Sequence, residues 1–160
     1  MVIGAIFAGG IGSRMGSADM PKQYLQLGSK PIIVHTIEKF VVNPGIDRII
    51  VLCPKAWIAH TKDLVKKYLG EAIAEKINVV EGGSTRNGTL ENALKFINEN
   101  FAIDDDSVIV THDAVRPFVT HRIIDENIEA AKKYGACDTV IPATDTIVRS
   151  EDSENVSSIP

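Results

Sequence analysis

Residues 2–16 read Val2-Ile3-Gly4-Ala5-Ile6-Phe7-Ala8-Gly9-Gly10-Ile11-Gly12-Ser13-Arg14-Met15-Gly16. A short apolar run ends directly in glycines, and Pro21-Lys22-Gln23 follows soon after. Glycines placed straight after a strand let backbone N–H groups come close to a phosphate or a base. Three readings of the loop compete. A Walker loop needs Gly-Lys-Ser/Thr at its end, which is absent. A dinucleotide fingerprint needs a helix opening at the loop and an acid on the next strand. Here Gly16–Pro21 reads as loop, and the next strand ends in Leu52-Cys53-Pro54 with no acid. The third reading is a nucleoside triphosphate loop flanked by two cations, Arg14 and Lys22, which suits a polyanion.

Working outward, strand-like and helix-like segments alternate. Arg48–Leu52, Ile77–Val80, Val108–Val110 and Cys137–Ile141 read as strands, the first buried on both faces. Pro31–Val42 has helical spacing through Ile33, Ile37 and Phe40, and Asn43-Pro44-Gly45 stops it. Trp57–Leu69, a stripe of Leu90, Leu94 and Ile97 with Ala93 beside it, and Ile123–Ala131 complete the helices. The alternation predicts an α/β fold, Rossmann-like, with a mostly parallel sheet and helices on both faces. Ligands in such folds sit at the carboxyl ends of the strands, and every unusual polar motif here follows a strand.

Two further loops obey that rule. Glu81-Gly82-Gly83-Ser84-Thr85-Arg86-Asn87-Gly88-Thr89 leads into the third helix. Ser84 or Thr85 is a candidate cap, and Thr89 with the free N–H groups is a candidate contact for base or ribose. Capping explains neither the double glycine nor Arg86. The second loop is Thr111-His112-Asp113-Ala114-Val115-Arg116-Pro117. An aspartate at the carboxyl end of a central strand is well placed to hold Mg²⁺. Arg116 is then a candidate clamp for the phosphate of a second substrate. His112 reads as a supporting or core histidine.

The sequence has 160 residues, 44% hydrophobic and 24% charged, enough for one well-packed domain. Its net charge of −4 provides no global field for nucleic acid or an acidic membrane. No apolar run approaches the roughly 18 residues of a membrane span, and the amino terminus lacks the basic region of a secretory signal. Cys53 and Cys137 match no zinc or redox spacing and read as buried free thiols in a reducing, cytoplasmic setting. The expected organisation is a nucleotide-binding α/β domain over residues 1–141 and a β-hairpin arm beginning in 142–160.

In their order, AGGIGSRMG, PKQ, HTIEKF, GGSTRN, HDAVRP and the later Asp145-Thr146 resemble the IspD/TarI family of cytidylyltransferases. The first two motifs are shared with sugar nucleotidyltransferases more widely, whereas HDAVRP together with PKQ is more specific. The resemblance implies the nucleotide-diphospho-sugar transferase type of fold. It implies an enzyme joining CTP to a polyol phosphate with Mg²⁺, with Arg14 and Lys22 as catalytic cations. The backbone of Ala8, Gly9, Gly10, Ile11 and Gly12, with Gly82, Arg86 and Thr89, would frame the nucleotide. Asp113 would hold the metal, and Arg116 and Thr146 the acceptor phosphate. It also implies a homodimer formed through the arm.

HDAVRPF, IPATDTIV and GGSTRN look more like the branch that uses D-ribitol 5-phosphate and makes CDP-ribitol for teichoic acid. The methylerythritol phosphate branch more often has HDAARP and a serine at the position of Thr89. Family members also continue past the arm to a Gln-Thr-Pro-Gln segment and a basic element. The present sequence stops before both, so the CTP half is expected to be more complete than the acceptor half. Rival readings are a non-catalytic nucleotide sensor, a nicotinamide-dependent oxidoreductase, and an enzyme using UTP or GTP.

Overall fold

Strand β1 (Val2–Phe7) is an inner strand of the sheet, paired on both edges. In the computed structural model, which describes residues 1–10, 20–144, 146, 148–152, 154–155 and 157–158, β1 lies parallel to β4 (Arg48–Cys53) and to β6 (Val108–Asp113). Strand β5 (Ile77–Glu81) adds beyond β4, so the four-stranded parallel sheet has the order β5-β4-β1-β6. A two-stranded ribbon, β2 (Gln26–Leu27) with β3 (Lys30–Pro31), leads into helix α1 (Ile32–Val41). Helices α2 (Ile58–Leu69) and the short α3 (Glu71–Ala74) link β4 to β5. Helix α4 (Arg86–Asn100) carries the chain back across to β6, and α5 (His121–Tyr134) follows β6.

The alternation of side chains along each strand decides which helix covers which face. Val2 and Ile6 of β1, with Ile49, Val51 and Cys53 of β4, face α1, α2 and α5. Ile3 and Ala5, with Ile50 and Leu52, face Ala93 and Ile97 of α4. Both faces are covered, which is why these strands are almost continuously apolar. Fully burying one such isoleucine or phenylalanine contributes about 1.5–3 kcal/mol. Helix α1 sits so close to β1 that a Cβ on Gly4 would lie 2.6 Å from Phe40 Cδ1, so only glycine fits beneath that ring.

Several sequence expectations change. The stripe of α4 is shifted: Thr89, Ala93 and Ile97 are buried, while Leu90 and Leu94 are exposed. Cys137–Ile141 does not form the expected buried strand and is exposed along its length. The Asn127 side chain of α5 donates to Thr139 Oγ1 (2.7 Å), and Cys137 Sγ donates to the Asn127 carbonyl (3.2 Å). These bonds hold the segment on the helix instead of at the edge of β6. Cys53 is buried as expected, but Cys137 is exposed. Strand β6, expected to be central, is therefore an edge strand among the described residues. In the arm region, Arg149 and Ser158 form an antiparallel bridge. Among the described residues no helix is long and apolar enough to cross a membrane.

Candidate nucleotide site

The sheet reverses its direction of growth at β1. The chain builds β4 and β5 on one side, then α4 carries it over to place β6 on the other. Such a switch point opens a crevice at the carboxyl ends of the strands. Three loops start there, and each begins with one further bond of the parallel ladder. Ala8 N–H donates to the Leu52 carbonyl (2.7 Å), Gly82 N–H to that of Cys53 (2.9 Å), and Ala114 N–H to that of Phe7 (2.9 Å). The glycine loop, the double-glycine loop and the Asp113 loop thus leave the sheet side by side.

The double-glycine loop is closed by α4. Thr85 is the N-cap, its hydroxyl accepting from Gly88 N–H at 3.0 Å. The expected loop over residues 86–89 is already the first turn of α4, since capping begins the helix before the apolar stripe does. Thr89 is buried; its hydroxyl accepts from Gly83 N–H (3.0 Å) and donates to the Thr85 carbonyl (2.8 Å). Its Oγ1 also lies 3.7 Å from the Cβ position of Gly9, so Thr89 forms the wall between the two glycine loops.

Arg86 reaches from the first turn of α4 over Phe7, with its guanidinium carbon 5.5 Å from the ring centre, and donates to Asp113 Oδ1 at 2.5 Å. Arg116 Nε donates to Asp113 Oδ2 at 3.0 Å. Asp113 is the last residue of β6, which runs further than the sequence spacing implied. Burial alone would push its carboxyl up. The hydrogen bond and charge of Arg86, then those of Arg116, outweigh burial and hold it below the usual carboxylate value. A lowered folded-state value means the cluster contributes stability above the ordinary aspartate range. That contribution is lost as pH falls through the lowered value. The arginine side chains are 63% and 73% exposed, so solvent screens both pairs. Asp113→Asn is accordingly expected to cost less than about 1 kcal/mol in urea unfolding at neutral pH. A loss of several kcal/mol would make Asp113 a structural keystone instead of a functional group.

No group of three or more histidine, cysteine, aspartate or glutamate side chains gathers among the described residues, so they build no protein cage for a metal. Mg²⁺ does not need one where a polyphosphate and water supply most of its oxygens. Each Asp113 oxygen has a second lone pair beyond the one its arginine uses, so the carboxylate fits a Mg²⁺ shared with a bound nucleotide.

Other predicted residues are placed less fully. Ile11, Gly12 and Arg14 lie outside the described residues. Ala8, Gly9 and Gly10 form the entry of the loop, with Ala8 buried and Gly10 exposed. Lys22 opens a 3₁₀ turn, Lys22–Tyr24, and is half-buried. Thr146 is exposed, and among the described residues no hydrogen bond joins it to Arg116.

Sequence reasoning missed Thr36 and the bond made by Gln23, whereas His112 takes the supporting place expected of it. Thr36 of α1 donates to the Ala114 carbonyl (2.8 Å), and His112 Nε2 lies 3.0 Å from the Arg116 carbonyl. Both pin the loop that carries Arg116. Gln23 is buried and donates to the Ala8 carbonyl at 2.6 Å. Its place within Pro-Lys-Gln was the one sequence signal for Gln23, and Thr36 carried none.

A parallel sheet with a glycine loop, a flanking lysine and an arginine–aspartate cluster at its switch point defines the nucleotidyltransferase class of α/β domain. The family model "IspD: 2-C-methyl-D-erythritol 4-phosphate cytidylyltransferase" matches residues 2–160, and the chain belongs to that family. Among solved structures, 4-diphosphocytidyl-2C-methyl-D-erythritol synthase from Anaerococcus prevotii DSM 20548 is similar over 99% of this chain, at 29% identity and a TM-score of 0.74. This chain spans only 63% of that protein's chain. A second 4-diphosphocytidyl-2C-methyl-D-erythritol synthase is similar over 99% of this chain and 67% of its own, at 24% identity and a TM-score of 0.73. The bifunctional IspDF of Campylobacter jejuni shares the fold over 82% of this chain and 31% of its own, at 23% identity and a TM-score of 0.62.

Proposed function

We propose that the protein is a cytidylyltransferase joining CTP to a polyol phosphate, with release of pyrophosphate. The observation that carries this reading is the convergence of three loops at the switch point, with Asp113 between Arg86 and Arg116. Membership of the IspD family supports CTP as the nucleotide.

A phosphate oxygen of the acceptor attacks the α-phosphorus of CTP, and the bond to the pyrophosphate oxygen breaks. The attacking phosphate is largely a dianion near neutral pH, so no general base is required. That leaves His112 to its bond with the Arg116 carbonyl. The obstacle is charge: two polyanions must approach, and negative charge builds up on the transferred phosphorus and the leaving group. Lys22 and Arg14 neutralise the triphosphate. Ala8, Gly9, Gly10, Ile11 and Gly12, with Gly82, Arg86 and Thr89, frame the nucleotide; for Thr89 the support is its packing against both glycine loops. Arg116 and Thr146 hold the acceptor phosphate. Asp113 would hold Mg²⁺, which when bound supplies further positive charge at the phosphates.

For the acceptor we favour D-ribitol 5-phosphate, giving CDP-ribitol, on the strength of HDAVRPF, IPATDTIV and Thr89. The second reading is 2-C-methyl-D-erythritol 4-phosphate, favoured by the family model and by the names of the similar structures. The same reading makes the enzyme a homodimer through its arm, working in the cytoplasm, where its free cysteines suit a reducing milieu.

A pyrophosphate-release assay on the full-length protein tests the proposal by crossing CTP, UTP, GTP and ATP with ribitol, methylerythritol and glycerol phosphates. Release is expected with CTP and ribitol 5-phosphate. Release with methylerythritol phosphate alone would transfer the assignment to the second reading. No release from any pair would leave a nucleotide-binding protein without this activity.

A further inference from the structure

Gln23 is the one residue of the Pro-Lys-Gln motif besides Lys22 with a polar side chain, and it is 1% exposed. A buried carboxamide must find partners, because an unpaired one has lost its water and gained nothing in return. Its Nε2 donates to the Ala8 carbonyl at 2.6 Å, fifteen positions earlier in the chain. Ala8 is the first residue of the glycine loop, and its N–H is already fixed on Leu52 of β4. The Gln23 bond therefore ties the Lys22 turn directly to the entry of the glycine loop. The next residue, Tyr24, is buried too: its hydroxyl bonds Thr61 Oγ1 (2.8 Å), and its ring stacks on Trp57 at 4.5 Å and 14°. The turn is thus fastened to the loop entry just past β1 by Gln23 and to α2 by Tyr24, leaving Lys22 half-exposed at its head.

A lysine side chain is flexible, so the fold can fix little more than where its backbone starts. From this we infer that Gln23 is a positioning residue for Lys22. Its carboxamide fastens the Lys22 turn to the Ala8 carbonyl, so that the ammonium and the glycine-loop N–H groups meet on the same polyphosphate.

The inference rests on the proposed CTP chemistry, and the test separates the two. Wild type, Gln23→Leu, Lys22→Ala and the double variant of the full-length protein are compared by pyrophosphate release with CTP, Mg²⁺ and the acceptor. Leucine fills the buried site but cannot donate. Gln23→Leu is expected to lower kcat by about 10²-fold, as a misplaced group does, with a smaller change in the KM for CTP. In the Lys22→Ala background the same change should lower kcat by less than about twofold, because contacting groups that act as a unit are non-additive. Equal losses in both backgrounds would overturn the inference and leave Gln23 a merely stabilising residue.

Where Gln23→Leu does not fold, Gln23→Glu takes its place. A protonated glutamic acid can donate to Ala8 and a carboxylate cannot, so its kcat should recover relative to wild type as pH is lowered. A pH profile parallel to wild type would refute the role. If wild type releases no pyrophosphate with any acceptor, the proposed function fails. The same cycle is then read as affinity for CTP with Mg²⁺ from the fluorescence of Trp57, the sole tryptophan of the sequence. Non-additive losses would uphold the positioning role in binding, and additive losses or no CTP binding would end it.

Discussion

Lys22→Ala is expected to lower turnover by about 10²–10³-fold while the protein keeps its fold, this being the usual cost of removing one group aimed at developing charge. The physical reason is that the charges of the two described arginines at the site are already partly balanced by a carboxylate. Arg86 and Arg116 both pair with Asp113. Among the described residues the Lys22 ammonium forms no ion pair. Its backbone carbonyl, which accepts from Leu25 N–H at 3.1 Å, survives the substitution. Steady-state kinetics with CTP should thus show the loss in kcat, with thermal unfolding near wild type. Arg14→Ala is expected to lose turnover by the same order. Near-normal turnover of Lys22→Ala would remove that lysine from the catalytic role.

The second large effect falls on Gly83. A Cβ added there would lie 2.3 Å from the Gly88 carbonyl carbon, 2.6 Å from Thr89 N and 2.7 Å from Gly88 O. These are backbone atoms in the first turn of α4, so no side-chain rotation relieves the clash. The turn must move, taking with it the Gly83 N–H bond to Thr89 and the base from which Arg86 reaches Asp113. Overpacking of this kind costs about 1–3 kcal/mol. Displacing the functional groups by about an ångström costs on the order of 10²-fold in rate. Gly83→Ala should therefore lower both the urea midpoint and kcat/KM for CTP. Gly82→Ala is the control: its nearest contacts, 3.4 and 3.5 Å to Thr89, are ordinary van der Waals distances. If Gly83→Ala were as stable as Gly82→Ala, the close approach of loop and helix would be wrong.

The parallel sheet was legible because its strands are covered on both faces, and burial on both faces leaves a continuous apolar run. Arg48–Cys53 shows this plainly. The exit of each motif from a strand end was legible for the same reason. Cys137–Ile141 misled because a short apolar run carries no information about what lies beside it. Two hydrogen bonds with Asn127 of α5, one from its side chain to Thr139 Oγ1 and one from Cys137 Sγ to its main-chain carbonyl, place it on the helix instead of the sheet. The stripe of α4 misled because Leu90 and Leu94 have helical spacing, yet the rotation of the helix is set by Thr89 packing beneath the glycine loops.

Sequence by itself determined the α/β class, the alternation of strands and helices, and the three polar loops with their charged residues. Those features are local: hydrophobic period, glycine content and capping chemistry are written in neighbouring residues. Tertiary structure alone decided that Arg86 and Arg116, thirty positions apart, share one aspartate. It also decided that Gln23 bonds the Ala8 carbonyl at the entry of the glycine loop and that Thr36 and His112 hold the Arg116 loop. These pairings depend on which strands become neighbours, and β1 joins β4 and β6 only because helices cross over to opposite sides of it. No spacing along the chain encodes that adjacency.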